Sequence, residues 1–310
     1  MRDHSIRMSG KLPKGSARRA VIISVFIAAM HKQARPVRKG FAKWLAQVAG
    51  RASRERDMIR TTGMMMLAAM APAPAGAQDA SAQPQRVLVV LAHPDDELPM
   101  APAIAALARQ GADVAIYYAT AGDAGPGVSG LTPGAELAQR RIGEAWCAVE
   151  ALGVSTLLGA EHPDGKLGLA AHHEASPARA LAEAFREQFA VSDLILTWGP
   201  DGGYGHADHR MVSALSTQIV QAMPAATRPR LLYVGIPAGS LPPVPQMAQW
   251  STTDPALLTE TIAYTPADLD AAKAAAACHV TQFDEATRAG MMPLFDATMW
   301  RGTVHFRPAF

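Results

Sequence analysis

An imidazole and three carboxylates crowd into five consecutive positions of this chain, His93-Pro94-Asp95-Asp96-Glu97. His93 and Asp96 are separated by two residues on a turn that leads into a helix, so both side chains can face one crevice. Imidazole nitrogen and carboxylate oxygen are a plausible pair of zinc ligands, binding at roughly 2.0–2.2 Å. Asp95 lies between them, need not bind the metal, and suits a general base held beside it. Pro94 fixes φ and stiffens the corner. A second constellation begins further along, Gly199-Pro200-Asp201-Gly202-Gly203-Tyr204-Gly205-His206-Ala207-Asp208-His209-Arg210. His206 and His209 sit about one helical turn apart with Asp208 between them. One imidazole would complete a three-ligand site, and the other would stay free to act on substrate. Three protein ligands with an open water position is how catalytic zinc sites are built. Two imidazoles and a carboxylate favour zinc, and Fe(II) accepts similar ligands. Taken alone, each constellation has a bland reading. Asp95 and Asp96 can simply cap a helix N-terminus, and a His-x-x-His spacing is weak evidence. Two such clusters, each after a predicted strand, argue for a built site.

The surrounding pattern supplies the elements that must position them. Val87-Leu88-Val89-Val90-Leu91 is an unbroken apolar run, read as a strand buried on both faces. It ends at the first cluster, and Met100 to Arg109 then reads as helix. Asp113 to Ala119 is a second strand, running into the glycine-rich loop Thr120–Gly127, which lacks a dinucleotide fingerprint. Residues 134–152 read as an amphipathic helix stopped by Gly153, with Arg141 and Glu144 as a surface pair. Ser155 to Gly159 reads as a strand, Glu161 to Gly165 as a loop, and 177–189 as a helix. Asp193 to Trp198 reads as the strand before the second cluster, which enters a helix over 207–222. The Leu269–Gln282 stretch reads as helix, with His279 on its core or its surface. Alternating strand and helix signals predict an α/β chain, a Rossmann-like three-layer fold with a mostly parallel sheet and helices on both faces. In open sheets of this kind, active sites lie where strands end.

Charge divides the chain. Residues 1–60 hold 15 Lys/Arg and 3 Asp/Glu, whereas 61–310 hold 14 and 24. An acidic body of that kind argues against nucleic-acid binding. The apolar run Val21–Met30 is too short to span a bilayer, which needs about 20 residues. From Met58 the chain has the parts of a secretory signal: Arg60, the apolar Met64–Ala71 and the small-x-small site Ala75-Gly76-Ala77. We therefore expect translation to begin near Met58. Residues 1–57 would then be a basic upstream extension, 58–77 a cleaved signal, 78–85 a tail, and 86–310 the exported catalytic domain. A genuine basic leader is the alternative reading of 1–57. His4 and His31 fall in that doubtful segment, while His162, His172 and His173 read as loop or solvated residues. Cys147 and Cys278 both fall in alanine-rich helices and read as small packing residues, with a disulfide possible after export.

The stretch Ala92-His93-Pro94-Asp95-Asp96-Glu97 resembles the signature of the LmbE-like, or PIG-L, zinc de-N-acetylases. The resemblance continues through Thr120-Ala121-Gly122-Asp123, Arg141-Ile142-Gly143-Glu144 and Asp201-Gly202-Gly203-Tyr204-Gly205-His206, over roughly 86–282. It implies His93, Asp96 and His209 as metal ligands and Asp95 as general base. It further implies His206 as electrophile, Asp208 as the carboxylate orienting it, and Tyr204 as a mobile tyrosine near the substrate carbonyl. Arg141 and Asp164 match sugar-contacting positions. Ala207 departs from the family's usual proline, and His279-Val280-Thr281-Gln282 from its usual His-x-Ser-Gln. The implied reaction removes an acetyl group from an N-acetylglucosamine-type sugar or glycoconjugate by attack of a zinc-bound water. Cleavage of a thiol conjugate or other acyl amine at the same site is the alternative. A non-catalytic sugar-binding protein is a third reading, and the intact cluster residues argue against it.

Overall fold

In the computed structural model, residues 86–310 are described. The expected extension 1–57, signal 58–77 and tail 78–85 lie outside the described residues. Five strands run parallel: β1 (Arg86–Leu91), β2 (Asp113–Thr120), β3 (Thr156–His162), β4 (Leu194–Trp198) and β5 (Arg230–Val234). β6 (Glu260–Ala263) and β7 (Thr303–Pro308) complete a seven-stranded sheet in the order β3-β2-β1-β4-β5-β7-β6. β7 is antiparallel to both β5 and β6. The mostly parallel sheet is as expected, and the antiparallel edge adds to it.

Helices α1 (Ala101–Arg109), α2 (Ala135–Ala151), α3 (Pro177–Phe189), α4 (Ala207–Gln221), α5 (Pro266–Cys278) and α6 (Glu285–Phe295) cover both faces. β1 explains why. Val87, Val89 and Leu91 point into one core with Ile104 of α1, Val149 of α2, Ala275 of α5 and Phe295 of α6. Leu88 and Val90 point into the other, with Phe185 of α3 and Val212 of α4. A strand with apolar neighbours on both sides must be apolar at every position. Each such Val or Leu contributes roughly 1.5–3 kcal/mol by burial. Among the described residues, no helix is long and apolar enough to cross a membrane.

Several boundaries differ from expectation. β3 runs on to His162, so His162 and Glu161 end a strand and do not begin the loop. The register slips between Tyr118 and Thr120, and Gly159 and Ala160 take positive φ. Such a bulge lets a strand continue past its first irregularity. α5 starts on a capping box, Thr265 with Asp268, which Arg109 also grips through two bonds of 2.8 and 2.9 Å. It stops at Cys278, so 279–282 is not helical. The Leu269–Gln282 expectation overran because Ala-rich periodicity carries no stop signal of its own. Cys147 and Cys278 form a disulfide, Cα–Cα 5.8 Å, between α2 and α5. Fully buried Ala145, Ala148, Ala275 and Ala276 let the two helices approach closely, so these cysteines are more than packing residues.

From β1 the chain builds outward through β2 to β3, then α3 carries it back to β4 on the other side of β1. The order reverses between β1 and β4, which pair directly, Val87 opposite Leu194 and Val89 opposite Leu196. Such a reversal opens a crevice beyond the carboxyl ends of the two strands. Both polar clusters emerge there.

Candidate active site

β1 ends in a tight turn that folds His93 and Asp96 onto each other. The His93 N–H donates to Asp96 Oδ2 at 2.7 Å. Across the crevice, His209 comes from the first turn of α4. Its Nε2 lies 3.0 Å from Asp96 Oδ1 and 3.2 Å from His93 Nδ1, and His93 Nδ1 is 3.3 Å from Asp96 Oδ2. Ligand atoms held at roughly 2.1 Å around a tetrahedral ion are themselves about 3.4 Å apart, so the three groups need only a small expansion to accept one. Among the described residues, two further sets of ligand-type atoms lie within 4.8 Å of one another: His93, His206 and His209, and His93, Asp164 and Asp208. His93 is common to both. The field here favours positive charge: burial alone would keep His93 neutral, but Asp96, Asp164 and Asp208 hold it well above the ordinary imidazole range. Asp96 responds in the opposite sense. Burial would raise it, but His209 and His93 hold it below the usual carboxylate range. Buried His209 Nδ1 has no hydrogen-bond partner, and Trp198 stacks on that ring at 5.7 Å between centroids. The donor set and its charge fit a divalent cation.

Asp95 sits at the lip of this cluster with φ of 94°. A non-glycine residue in that region costs on the order of 1–3 kcal/mol and persists only where its surroundings hold it. Arg141 from α2 supplies part of the hold. Its Nη2 donates to Asp95 Oδ2 at 3.0 Å and to the Pro94 carbonyl at 2.6 Å, and its Nη1 donates to the Gly122 carbonyl at 2.9 Å. Gly122 must be glycine: an added Cβ would come within 2.1 Å of that guanidinium. Burial, opposed by Arg141, raises the Asp95 carboxyl to about 6.

The β4 end is built differently. Gly202, Gly203 and Gly205 all take positive φ, and a Cβ on Gly203 would press within 2.7 Å of Trp198. This loop carries Tyr204, 44% exposed, to the mouth of the crevice. The Tyr204 ring lies 5.3 Å from His209 and 5.5 Å from Trp250. His206 is the N-cap of α4. Its Nδ1 accepts the Asp208 N–H at 3.2 Å, so a neutral His206 carries its proton on Nε2. Burial, reinforced by His93 and His209, holds His206 below the ordinary imidazole range and so favours that neutral form.

The expected residues therefore meet, with some roles redistributed. Asp208 reaches His206 through its main-chain N–H and not its carboxylate. That carboxylate is fully buried and accepts the N–H groups of Gly165 and Leu167 at 2.7 and 3.1 Å. Asp164 Oδ1 lies 2.9 Å from His93 Nε2, and its Oδ2 accepts the Ala124 N–H at 3.1 Å. Arg141 is 3% exposed, with Nη1 and Nη2 donating inside the protein and its buried Nε without a partner, where the resemblance implied a sugar contact. Arg141 and Glu144 are not a surface pair. Glu144 is buried and accepts the Thr281 N–H and hydroxyl at 3.0 and 2.7 Å. His172 and His173 are exposed, as expected. Sequence reasoning missed the part played by Glu97 and His279, a fully buried pair 2.6 Å apart, and by Trp250. Glu97 stood in the motif, but its partner lies far along the chain, so spacing carried no signal for the pair.

Residues 88–220 match the family model described as PIG-L: GlcNAc-PI de-N-acetylase. The chain is 37% identical over 153 residues to a 1D-myo-inositol 2-acetamido-2-deoxy-alpha-D-glucopyranoside deacetylase of Kineococcus radiotolerans, covering 41% of this chain and 42% of that protein. It is 35% identical over 165 residues to a protein of the same description from Rhodococcus jostii, covering 47% and 56%. The chain thus spans about half the length of the curated relatives it matches. Among solved structures it resembles N,N'-diacetylchitobiose deacetylase from Pyrococcus horikoshii, with TM-score 0.55 and 19% identity over 73% of this chain and 84% of that one. It also resembles a 4-carboxy-2-hydroxymuconate hydratase from Pseudomonas putida, with TM-score 0.52 and 16% identity over 73% and 96%. Likeness at this level is one of fold, and one fold hosts unrelated reactions. The match over 88–220 takes in both strand-end clusters, His93–Glu97 and Gly199–Arg210.

Proposed function

We propose that this chain is a metal-dependent de-N-acetylase acting on an N-acetylglucosamine-type sugar or conjugate. The observation that carries the reading is one crevice with three components. Asp95 is a carboxylate held at the lip by Arg141; His93, Asp96 and His209 converge as ligands; and His206 faces them with its Nδ1 already engaged. The names of the relatives support the same chemistry. A divalent ion held by His93, Asp96 and His209, zinc in our reading, would polarise the acetamide carbonyl and make water a better nucleophile. Asp95 takes the proton of the attacking water as its oxygen bonds to the carbonyl carbon. His206 Nε2–H donates to the oxyanion that forms. Asp95 then passes its proton to the nitrogen as the C–N bond breaks, leaving acetate and a free amine. Tyr204, exposed at the mouth, is positioned to contact the substrate. The test is acetate and amine release from N-acetylated amino sugars, before and after chelation. A protein holding one equivalent of metal that cleaves none of them would sink the reading.

We also propose that the mature protein begins near Gln78 and is exported. The Met58–Ala77 pattern supports this, and so does a disulfide, a bond that persists in oxidising compartments. N-terminal sequencing of protein from the native host checks it. Cytoplasmic protein still carrying residues 58–77 would count against export.

A further inference from the structure

The peptide unit between Pro94 and Asp95 is held at both of its polar ends. Arg141 Nη2 donates to the Pro94 carbonyl at 2.6 Å, and the Asp95 N–H donates to Glu97 Oε2 at 3.0 Å. On the other side of the Asp95 Cα, the Asp95 carbonyl accepts the Leu98 N–H at 3.1 Å. With both flanking peptide planes fixed, the φ of 94° is imposed, and with it the direction in which the Asp95 Cβ leaves the backbone. Glu97 is the least replaceable part of this clamp. It is fully buried. Its Oε2 also accepts the Tyr118 hydroxyl at 2.8 Å, and its Oε1 lies 2.6 Å from His279 Nε2. His279 follows Cys278, whose disulfide to Cys147 ties it to the helix that bears Arg141. Burying a carboxylate and an imidazole together is costly, and an apolar pair of similar volume would pack as well or better. The arrangement makes sense if the carboxylate is needed for what it holds.

We propose that Glu97, braced by His279 and Tyr118, is a positioning residue. It locks the Pro94–Asp95 peptide in the orientation that aims the Asp95 carboxylate into the crevice. The activity arm of its test rests on the deacetylase reading; the structural arm does not. The variants are Glu97→Ala, Glu97→Gln and Tyr118→Phe. Each is assayed for metal content, for kcat and KM, and for hydrogen exchange at the Asp95 amide by NMR. In Glu97→Ala the Asp95 amide should exchange at least about tenfold faster. Its kcat should fall about 10²-fold while KM stays within about threefold, the scale of a base displaced by roughly 1 Å. Metal should remain at one equivalent. Glu97→Gln keeps an acceptor oxygen and should recover most of both losses. If Glu97→Ala does not fold, Tyr118→Phe removes one brace at nearly constant volume and should shift exchange and kcat in the same direction, by less. Unchanged Asp95 protection in folded Glu97→Ala, or in Tyr118→Phe where the alanine variant fails, overturns the proposal. So does a loss of kcat that merely tracks loss of metal. If the wild-type protein releases no acetate from any amide, the deacetylase reading fails and the exchange measurement alone decides the clamp.

Discussion

The two strand ends that meet in the crevice are built on opposite plans. At the β1 end, His93, Asp96 and Glu97 are buried, and Arg141 and Glu97 grip a strained backbone from both sides. At the β4 end, glycines at 202, 203 and 205 give the chain freedom to approach Trp198 and turn, and they deliver a half-exposed tyrosine and a half-buried histidine. One side is a fixed frame for the cation and base we propose. The other presents groups to whatever enters. The two share one fully fixed member: His209, 1% exposed, reaches back from α4 to the frame. The difference teaches that in this fold rigidity is placed where charge must be held, and accessibility where substrate must be met.

That contrast can be broken at graded points. The largest effect should come from the ligands. His93→Ala and His209→Ala, one from each end, should both lose most of the metal by elemental analysis and drop activity to background. A variant of either that kept a full equivalent would remove that residue from the ligand set. Next is the base. Asp95→Asn preserves size and should leave metal content and folding near normal, while the rate falls by roughly 10²–10⁴-fold. Loss of metal in this variant would move Asp95 into the ligand shell. His206→Gln probes the accessible side. It should lower kcat by about 10²–10³-fold with little change in KM, as expected for a donor that acts on developing charge. A change confined to KM would make it a ground-state contact. The smallest effect on turnover should come from Cys147→Ser with Cys278→Ser. This change should cost about 2–5 kcal/mol of stability, seen as a lower Tm. The folded enzyme should keep most of its activity, because the disulfide braces the frame from behind.

Much of this was legible in one dimension. The run Val87–Leu91 announces a doubly buried strand because every position lacks a polar group, and a parallel sheet follows from that. His93, Asp95 and Asp96 are adjacent, so a single turn suffices to bring them together. His206 and His209 share a helix start for the same local reason. The antiparallel β6–β7 edge was harder to read, since Glu260–Ala263 is short and half exposed and carries no strong period. Arg141 and Glu144 looked like a surface pair because one helical turn places them on the same face. Which face is covered depends on the Gly122 loop and on Thr281, both distant in sequence.

The sequence by itself determined the chemical types in the crevice and the strand ends that bear them, because those depend on neighbours within a turn. Only the tertiary structure decided which partner each group keeps. Glu97 meets His279 from the far end of the chain, Asp208 turns its carboxylate to Gly165 and Leu167, and Cys278 finds Cys147. Pairings of that kind follow from the order of strands and the packing of α2 against α5, and no local spacing encodes them.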